Sequence, residues 1–340
     1  MVLKNNRAEF LIIDAGSAWT KGFLVNINRS FETIIKIEDK ISLPTSIGQL
    51  DLTINLITNK FKLKEIPVIL SGKLDGLALL ARDNKYFWIE PEEAELSKNR
   101  FFGSQTLIFD AGAHLYNEVS KLSDIDRINS FLTEATSHIE TENYIANKKI
   151  YPHLLPENNL QLQIEEGFSR LVLQKKLKQN TGALILTGGV LSNHPKMTSL
   201  ILLVLDALNE EILQVYLDKE QFIPSLGVLL SFLKLNTTLR LQPEIINLGA
   251  AVQIGAREVI LDSGDGGQKI TIKEEDIVRL PAKEGAFLKL EFKRGNKKIV
   301  ASLLGGSAGL FLDSRKKPIN TGEVDTAQNL KWRAAVGEEK

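Results

Sequence analysis

The sequence contains no cysteine. A disulfide scaffold and a thiolate metal site are therefore excluded. Histidine is scarce, and His138, His153 and His194 show no spacing suited to metal coordination. Charge of neither sign is in excess. Lys+Arg number 42 and Asp+Glu 42, which argues against a broadly basic nucleic-acid surface. Long apolar runs are also missing. The most apolar stretch, residues 200–208, is interrupted by Asp206, and a membrane-spanning helix needs about 20 apolar residues. The first ten residues carry no apolar core of a signal peptide. The expectation is a cytoplasmic chain with no membrane span and no nucleic-acid partner.

What is present is an ordinary globular composition, 43% hydrophobic and 25% charged over 340 residues, long enough for roughly two domains. Residues 10–13 form a short apolar run ending in Asp14-Ala-Gly16, and apolar residues resume at Gly22-Phe-Leu-Val25. Two such runs around a glycine turn predict a β-hairpin. Residues 31–37 read as a third strand. Residues 45–61 read as a helix capped by Thr45 or Ser46, and residues 66–70 as a strand closed by Ser71-Gly72. Pro91-Glu92-Glu93 opens another helix. Residues 106–109 repeat the first pattern, ending in Asp110-Ala-Gly112. Helices are expected over 137–150, 160–178, 198–208 and 224–233. Strands are expected at 183–186, before Thr187-Gly188-Gly189, and at 213–217. From about Pro243 come six short strand-like runs, separated by turns such as residues 263–267 and 293–296, which predicts a small β-rich module. The polar tail is expected to hold a short helix around Trp332 and then fray.

The chemistry-bearing residues lie at strand ends. Asp14 can hold a hydrated Mg²⁺. Gly16 lets backbone amides approach an anion, Ser17 and Thr20 add hydroxyls, and Lys21 adds a positive charge. Asp110 and Gly112 repeat the element. Thr187, Gly188 and Gly189, between a strand and a helix, offer a flat surface for a base or ribose. Other features read as structural. The adjacent Glu165 and Glu166 read as an exposed helix pair, Asp265-Gly-Gly267 as a hairpin turn, and His114 as a surface residue. The basic clusters at 175–178, 294–298 and 315–317 read as solvated faces.

The order of these elements resembles the actin-like ATPase superfamily, with its two phosphate hairpins and its Gly-Gly adenosine motif. More narrowly, the chain resembles the glutamate mutase-associated MutL (glutamate mutase L) family. That resemblance rests on Asp14-Ala-Gly-Ser-Ala-Trp-Thr-Lys21, residues 144–152, Leu155-Pro156 and Ile164-Glu165. It continues through residues 186–192, Leu205-Asp-Ala-Leu208, Leu217-Asp218, residues 223–227, Asn247-Leu-Gly249, Gly305-Gly306, residues 309–315 and Pro318.

The resemblance implies a two-lobed α/β fold of the actin-like, ribonuclease H-like kind (ASKHA). Lobe I would cover residues 1–105 and lobe II 106–241, followed by a β-rich module over 242–320 and a polar tail over 321–340. It implies ATP and Mg²⁺ as cofactors and a protein partner. Asp14 and Asp110 would be the catalytic carboxylates, with Asp14 the metal ligand. Gly16, Ser17, Thr20, Lys21, Gly112, Thr187, Gly188 and Gly189 would line the nucleotide. The function implied is an ATP-binding accessory or chaperone-like protein, with weak ATPase turnover left open. The second Asp-Ala-Gly continues with Ala113-His114-Leu115-Tyr116-Asn117 and has no small hydroxyl residue. This keeps alive a non-hydrolysing scaffold of a pilus-assembly or cell-division kind. A sugar kinase ranks lower, because no positioned carboxylate base is readable.

Overall fold

The computed structural model describes residues 7–29, 32–61, 66–112, 115–116, 118, 122–134, 136–177, 181–208, 212–234, 239–242, 245–255, 258–264, 266–315 and 326–337. The expected features at His114, Asp265 and Pro318 lie outside these residues. In chain order the first elements are β1 (Arg7–Ala15), β2 (Trp19–Arg29), β3 (Thr33–Pro44), α1 (Leu50–Lys60), β4 (Val68–Gly72), α2 (Leu77–Asp83), β5 (Phe87–Trp88) and α3 (Pro91–Phe102). Then come β6 (Thr106–Asp110), α4 (Leu122–Asn129), α5 (His138–Ile150), α6 (Asn159–Lys176), β7 (Ala183–Thr187), α7 (Gly189–Ser192), α8 (Met197–Ala207), β8 (Ile212–Leu217) and α9 (Ile223–Leu233). The last are β9 (Leu239–Gln242), β10 (Ile246–Gln253), β11 (Glu258–Asp262), β12 (Gly267–Thr271), β13 (Ile277–Leu280), β14 (Phe287–Arg294), β15 (Lys297–Leu304), β16 (Gly309–Asp313) and α10 (Thr326–Ala335).

The chain divides into two compact units. Unit 1 holds residues 1–104, 151–153 and 219–245, and unit 2 holds 105–150, 154–218 and 246–340. Residues 219–245 thus group with unit 1 rather than with 106–218.

Unit 1 is built on one sheet of order β5-β4-β1-β2-β3-β9. The strands β1, β2 and β3 form an antiparallel meander. Beyond α1, β4 runs parallel to β1, and beyond α2, β5 runs parallel to β4. This is the ribonuclease H-like order of an actin-like half. Leu11, Ile13 and Ala15 point to the face covered by α1 and α2, where Ile54, Ile57, Leu77 and Ala81 are buried. The alternate residues face α9: Phe10 meets Phe232 edge-on at 5.6 Å, and Phe23 meets Phe222 at 5.1 Å. Period-two burial on both faces is why residues 10–13 are uniformly apolar. The cap expected at Thr45 or Ser46 is not made. The helix starts at Leu50 after a short 3-10 turn, and neither residue caps it, because the Thr45 hydroxyl donates instead to the carbonyl of Gly16 at 2.7 Å.

Unit 2 carries a sheet of order β13-β16-β10-β8-β7-β6. Here β6, β7 and β8 are parallel, and β10 is antiparallel to β8. The six expected β-rich runs all become strands, but they do not form one module. β10 and β13 join this sheet, together with β16, which was not expected. Only β11, β12, β14 and β15 make the separate four-stranded sheet, which packs Leu288, Leu290, Phe292 and Leu303 against Val252, Leu310 and Leu312. α5 opens with a reciprocal cap: Glu140 N donates to Ser137 Oγ, and Ser137 N donates to the Glu140 carboxylate.

Unit 2 also buries a network of charges. Arg170 on α6 meets Asp206 on α8 at 3.0 Å, and Asp206 meets Arg315 at 2.9 Å. Arg315 forks onto Asp313 with two bonds of 2.9 and 2.8 Å and lies over the Trp332 ring, 4.6 Å from its centre. Glu166, expected on an exposed face, is buried. It accepts from His194 and Arg333, each at 2.9 Å. Its neighbour Glu165 is buried too, bonded to the Tyr116 and Tyr144 hydroxyls and paired with Lys148 at 3.0 Å. The tail helix α10 is therefore docked, with Val336 fully buried and Arg333 nearly so. Burial and the Glu165 charge push both tyrosine hydroxyls far up.

The network predicts acid sensitivity. Burial raises the Glu166 carboxyl, but the His194 bond and the Arg333 and Arg170 charges outweigh it and hold it at about 2, below the ordinary 4.5. Its contribution is complete above the unfolded value and is lost as pH falls from there through the folded one. That shift corresponds to about 3 kcal/mol. Urea unfolding at about pH 6 and about pH 3 should show a steep loss in the wild-type chain and a shallower one in Glu166→Gln.

Candidate functional site

Unit 1 places its candidate residues on the β1–β2 hairpin. Asp14 lies near the end of β1, half-buried, between Lys21 on β2 and Ser71 on β4 in the strand registers. Gly16 N donates to Trp19 O at 3.1 Å and closes the turn. A Cβ at Gly16 would lie 3.1 Å from that same oxygen, so the closure is tight. The next amides, of Ser17 and Ala18, have no partner among the described residues. Ser17 is exposed. The turn therefore offers two backbone donors and a hydroxyl directly beyond a carboxylate, donors of the kind an anion takes.

Thr20 is placed differently from the expectation. It is fully buried. Its hydroxyl lies 3.0 Å from Thr45 Oγ1, and since Thr45 gives its proton to Gly16 O, Thr20 donates to Thr45. Thr20 braces the turn from beneath and presents nothing to a ligand. Trp19 stacks edge-on against His153 at 6.2 Å.

Unit 2 brings Asp110 and the Gly-Gly element together. Asp110 pairs with Thr187 in the parallel register, and Ala111 N donates to Thr187 O at 2.9 Å. Gly188 has φ of +100°, and a Cβ there would fall 2.6 Å from Asp110 Oδ1 and 2.7 Å from the Ala111 backbone. Only glycine permits that approach. Gly112 and Gly189 are half-buried beside these groups.

The second phosphate hairpin does not form among the described residues. β6 is the edge strand of its sheet and pairs with β7 alone. The chain then passes to a short turn at Leu115–Tyr116, where Tyr116 is held by Glu165. Leu115 and Tyr116 are large and buried, so these two residues turn into the core.

Two residues were not singled out for the site from sequence. Asp218 comes directly after β8 and is buried. It accepts from Thr187 Oγ1 at 2.9 Å, its carbonyl accepts from Ser192 Oγ at 2.7 Å, and its N donates to Leu186 O at 2.9 Å. Its readable signal was a third aspartate at the end of an apolar strand, after Asp14 and Asp110. Ser71, at the end of β4 beside Asp14, donates to Ile89 O at 2.8 Å. Among the described residues no group of three His, Asp or Glu is arranged to hold a metal. A Mg²⁺ bound through one carboxylate and the phosphates of its own nucleotide does not require one, so the single carboxylate of Asp14 fits that mode.

No helix of the described residues is long and apolar enough to cross a membrane. No family model matches the sequence, and no curated protein matches it. Solved structures do. The activator of 2-hydroxyisocaproyl-CoA dehydratase from Clostridium difficile with bound ADPNP is 13% identical over 67% of this chain and 98% of its own, with a TM-score of 0.35. A ROK family protein from Streptococcus pneumoniae in complex with sucrose is 11% identical over 66% and 99%, with a TM-score of 0.34. The Ppx/GppA family member of Aquifex aeolicus is 10% identical over 67% and 90%, with a TM-score of 0.30. At these scores the likeness carries no argument of its own, and the actin-like α/β assignment stands on the strand order and crossovers of the unit 1 sheet.

Proposed function

We propose that this chain binds a nucleoside triphosphate, ATP with Mg²⁺, and acts as an actin-like accessory protein. The observation that carries the reading is the Gly16–Ala18 turn, with two amides that have no partner among the described residues and an exposed hydroxyl immediately beyond Asp14. Asp14 would hold the hydrated metal, which neutralises phosphate charge when bound. Gly16, Ser17 and Lys21 would meet the phosphates. Within unit 2, Gly188 stands against Asp110 and the Ala111 backbone, with Gly189 next to it and Thr187 tied to Asp218, and these two glycines are proposed as a separate nucleotide-contacting element. The finer assignment, an accessory or chaperone-like protein of the glutamate mutase L kind, rests on the sequence resemblance alone.

Calorimetry with Mg-ATP is expected to show binding that weakens by about tenfold or more in Asp14→Ala, the loss of about 1.4 kcal/mol or more. No heat at millimolar nucleotide, or equal affinity in the variant, overturns the reading. A second reading, binding without hydrolysis in a scaffold, is favoured by the edge position of β6. Steady ATP turnover that Asp110→Ala abolishes would overturn that second reading alone.

A further inference from the structure

The outer strand of the four-stranded sheet has an open edge. Gly305 N donates to Ala286 O at 2.8 Å, and antiparallel ladders alternate bonded and non-bonded pairs. The bonded pairs are therefore Leu303–Leu288, Ala301–Leu290, Ile299–Phe292 and Lys297–Arg294. The N–H and C=O groups of Lys298, Val300, Ser302 and Leu304 point away from β14. Leu304 is satisfied by a side chain: its N donates to Gln214 Oε1, and its O accepts from Gln214 Nε2, each at 3.0 Å. The backbone of Lys298, Val300 and Ser302 has no partner among the described residues. All three residues are exposed, Val300 at 51%.

The charge around this edge is one-sided. Lys293 stands directly opposite Lys298, and Arg294 directly opposite Lys297, across a two-residue turn. Like charges in opposed positions are destabilising, and here two such pairs are stacked at one hairpin end. Among the described residues Glu291 intrudes, paired with Lys298 at 2.5 Å. Arg294 turns inward to the Gln253 carbonyl, which leaves Lys293 and Lys297 exposed at the tip.

We propose that the β15 edge is a docking site for an extended acidic segment of a partner protein, added as a further strand. Backbone bonds to Lys298, Val300 and Ser302 give the pairing. Acidic side chains answer Lys293, Lys297 and Lys298, and an apolar residue covers Val300. Gln214 ends the register, because the position a longer added strand would bond at Leu304 is already taken. No aromatic side chain stands at the tip to stack on a base, so the chemistry favours an acidic peptide over a nucleic acid. The proposal does not depend on the nucleotide-binding function.

The test is amide hydrogen exchange on the full chain with a peptide of repeating Glu-Glu-Val-Val as probe, which places acidic and apolar residues in turn along one face of the added strand. The expected result is slowed exchange at Lys298, Val300 and Ser302, weakened by salt and by about tenfold or more in the double variant Lys297→Glu, Lys298→Glu. Val300→Pro should abolish it while leaving the fold intact, because the lost N–H faces outward and no ladder bond is removed. Thermal melts confirm that both variants fold. No protection at millimolar peptide, equal protection by a lysine–valine peptide, or tighter binding of duplex DNA or anionic vesicles overturns the proposal.

Discussion

Asp206→Ala is expected to destabilise the chain by about 3–5 kcal/mol, the cost of removing one partner from a buried charge pair. Asp206 is 5% exposed and serves two arginines, Arg170 and Arg315, themselves 1% exposed. Without it Arg170 keeps the 3.5 Å approach to Glu166, and Arg315 keeps Asp313. Among the described residues, three negative groups (Glu166, Asp206, Asp313) face three arginines (Arg170, Arg315, Arg333), so the variant removes one buried negative charge from beside two buried arginines. Urea unfolding should record the loss as a lower midpoint at unchanged slope. A loss under about 1 kcal/mol, typical of exposed pairs, would mean that water reaches the network. Asp206→Asn should fall between the two, since it keeps the acceptor oxygen and loses the charge.

Gly249→Ala is expected to cost about 3 kcal/mol or more, on two counts. Its φ of +124° is one that L side chains rarely adopt, and a Cβ there would lie 1.8 Å from the carbonyl oxygen of Gly309, its register partner on β16. The obstacle is backbone in a central strand, so no rotamer change relieves it. The clash would part β10 from β16 and disturb the β-bulge at Asn247, whose Oδ1 accepts from Gly249 N at 3.0 Å. Gly48→Ala, where a Cβ meets nothing within 4 Å, should change stability by less than about 0.5 kcal/mol. If the two variants melt alike, the close approach of β10 to β16 is wrong.

Much of the secondary structure was legible because its causes are local. Residues 10–13 and 183–186 are apolar runs bounded by glycine turns, and both became buried strands. Pro91 opened its helix at the first turn, and Ser137 with Glu140 closed a capping box. The hairpin at Asp14 was readable for the same reason: its two strands are adjacent in sequence. The Asp110 element carries the same Asp-Ala-Gly at the end of an apolar run, yet became an edge strand. Nothing within Asp110-Ala-Gly112 encodes the difference. It lies in the next few residues, where Leu115 and Tyr116 bury themselves in the unit 2 core.

Burial of polar residues was the least readable property. Glu166 and Arg170 sit four apart on α6, the spacing of an ordinary solvated pair, and nothing in the local sequence pairs Glu165 with Lys148. Their partners come from elsewhere in the chain: His194, and Arg333 on α10, for Glu166, and Asp206 on α8 for Arg170. The hydroxyl of Thr20 was a plausible phosphate donor until Thr45 claimed it.

By itself the sequence determined many of the segments that form strands and helices, where several of those strands end in aspartate and glycine, and that any anion recognition must come from a few local groups rather than from a charged surface. The absence of cysteine and of excess charge had already narrowed the chemistry that far. Tertiary structure decided which strand ends meet, which hydroxyls remain available, which carboxylates lose their water, and which strand is left with an open edge. The physical reason is one of range. Backbone preference and apolar periodicity act over a few residues, whereas strand order, desolvation and charge pairing depend on groups brought together from distant parts of the chain.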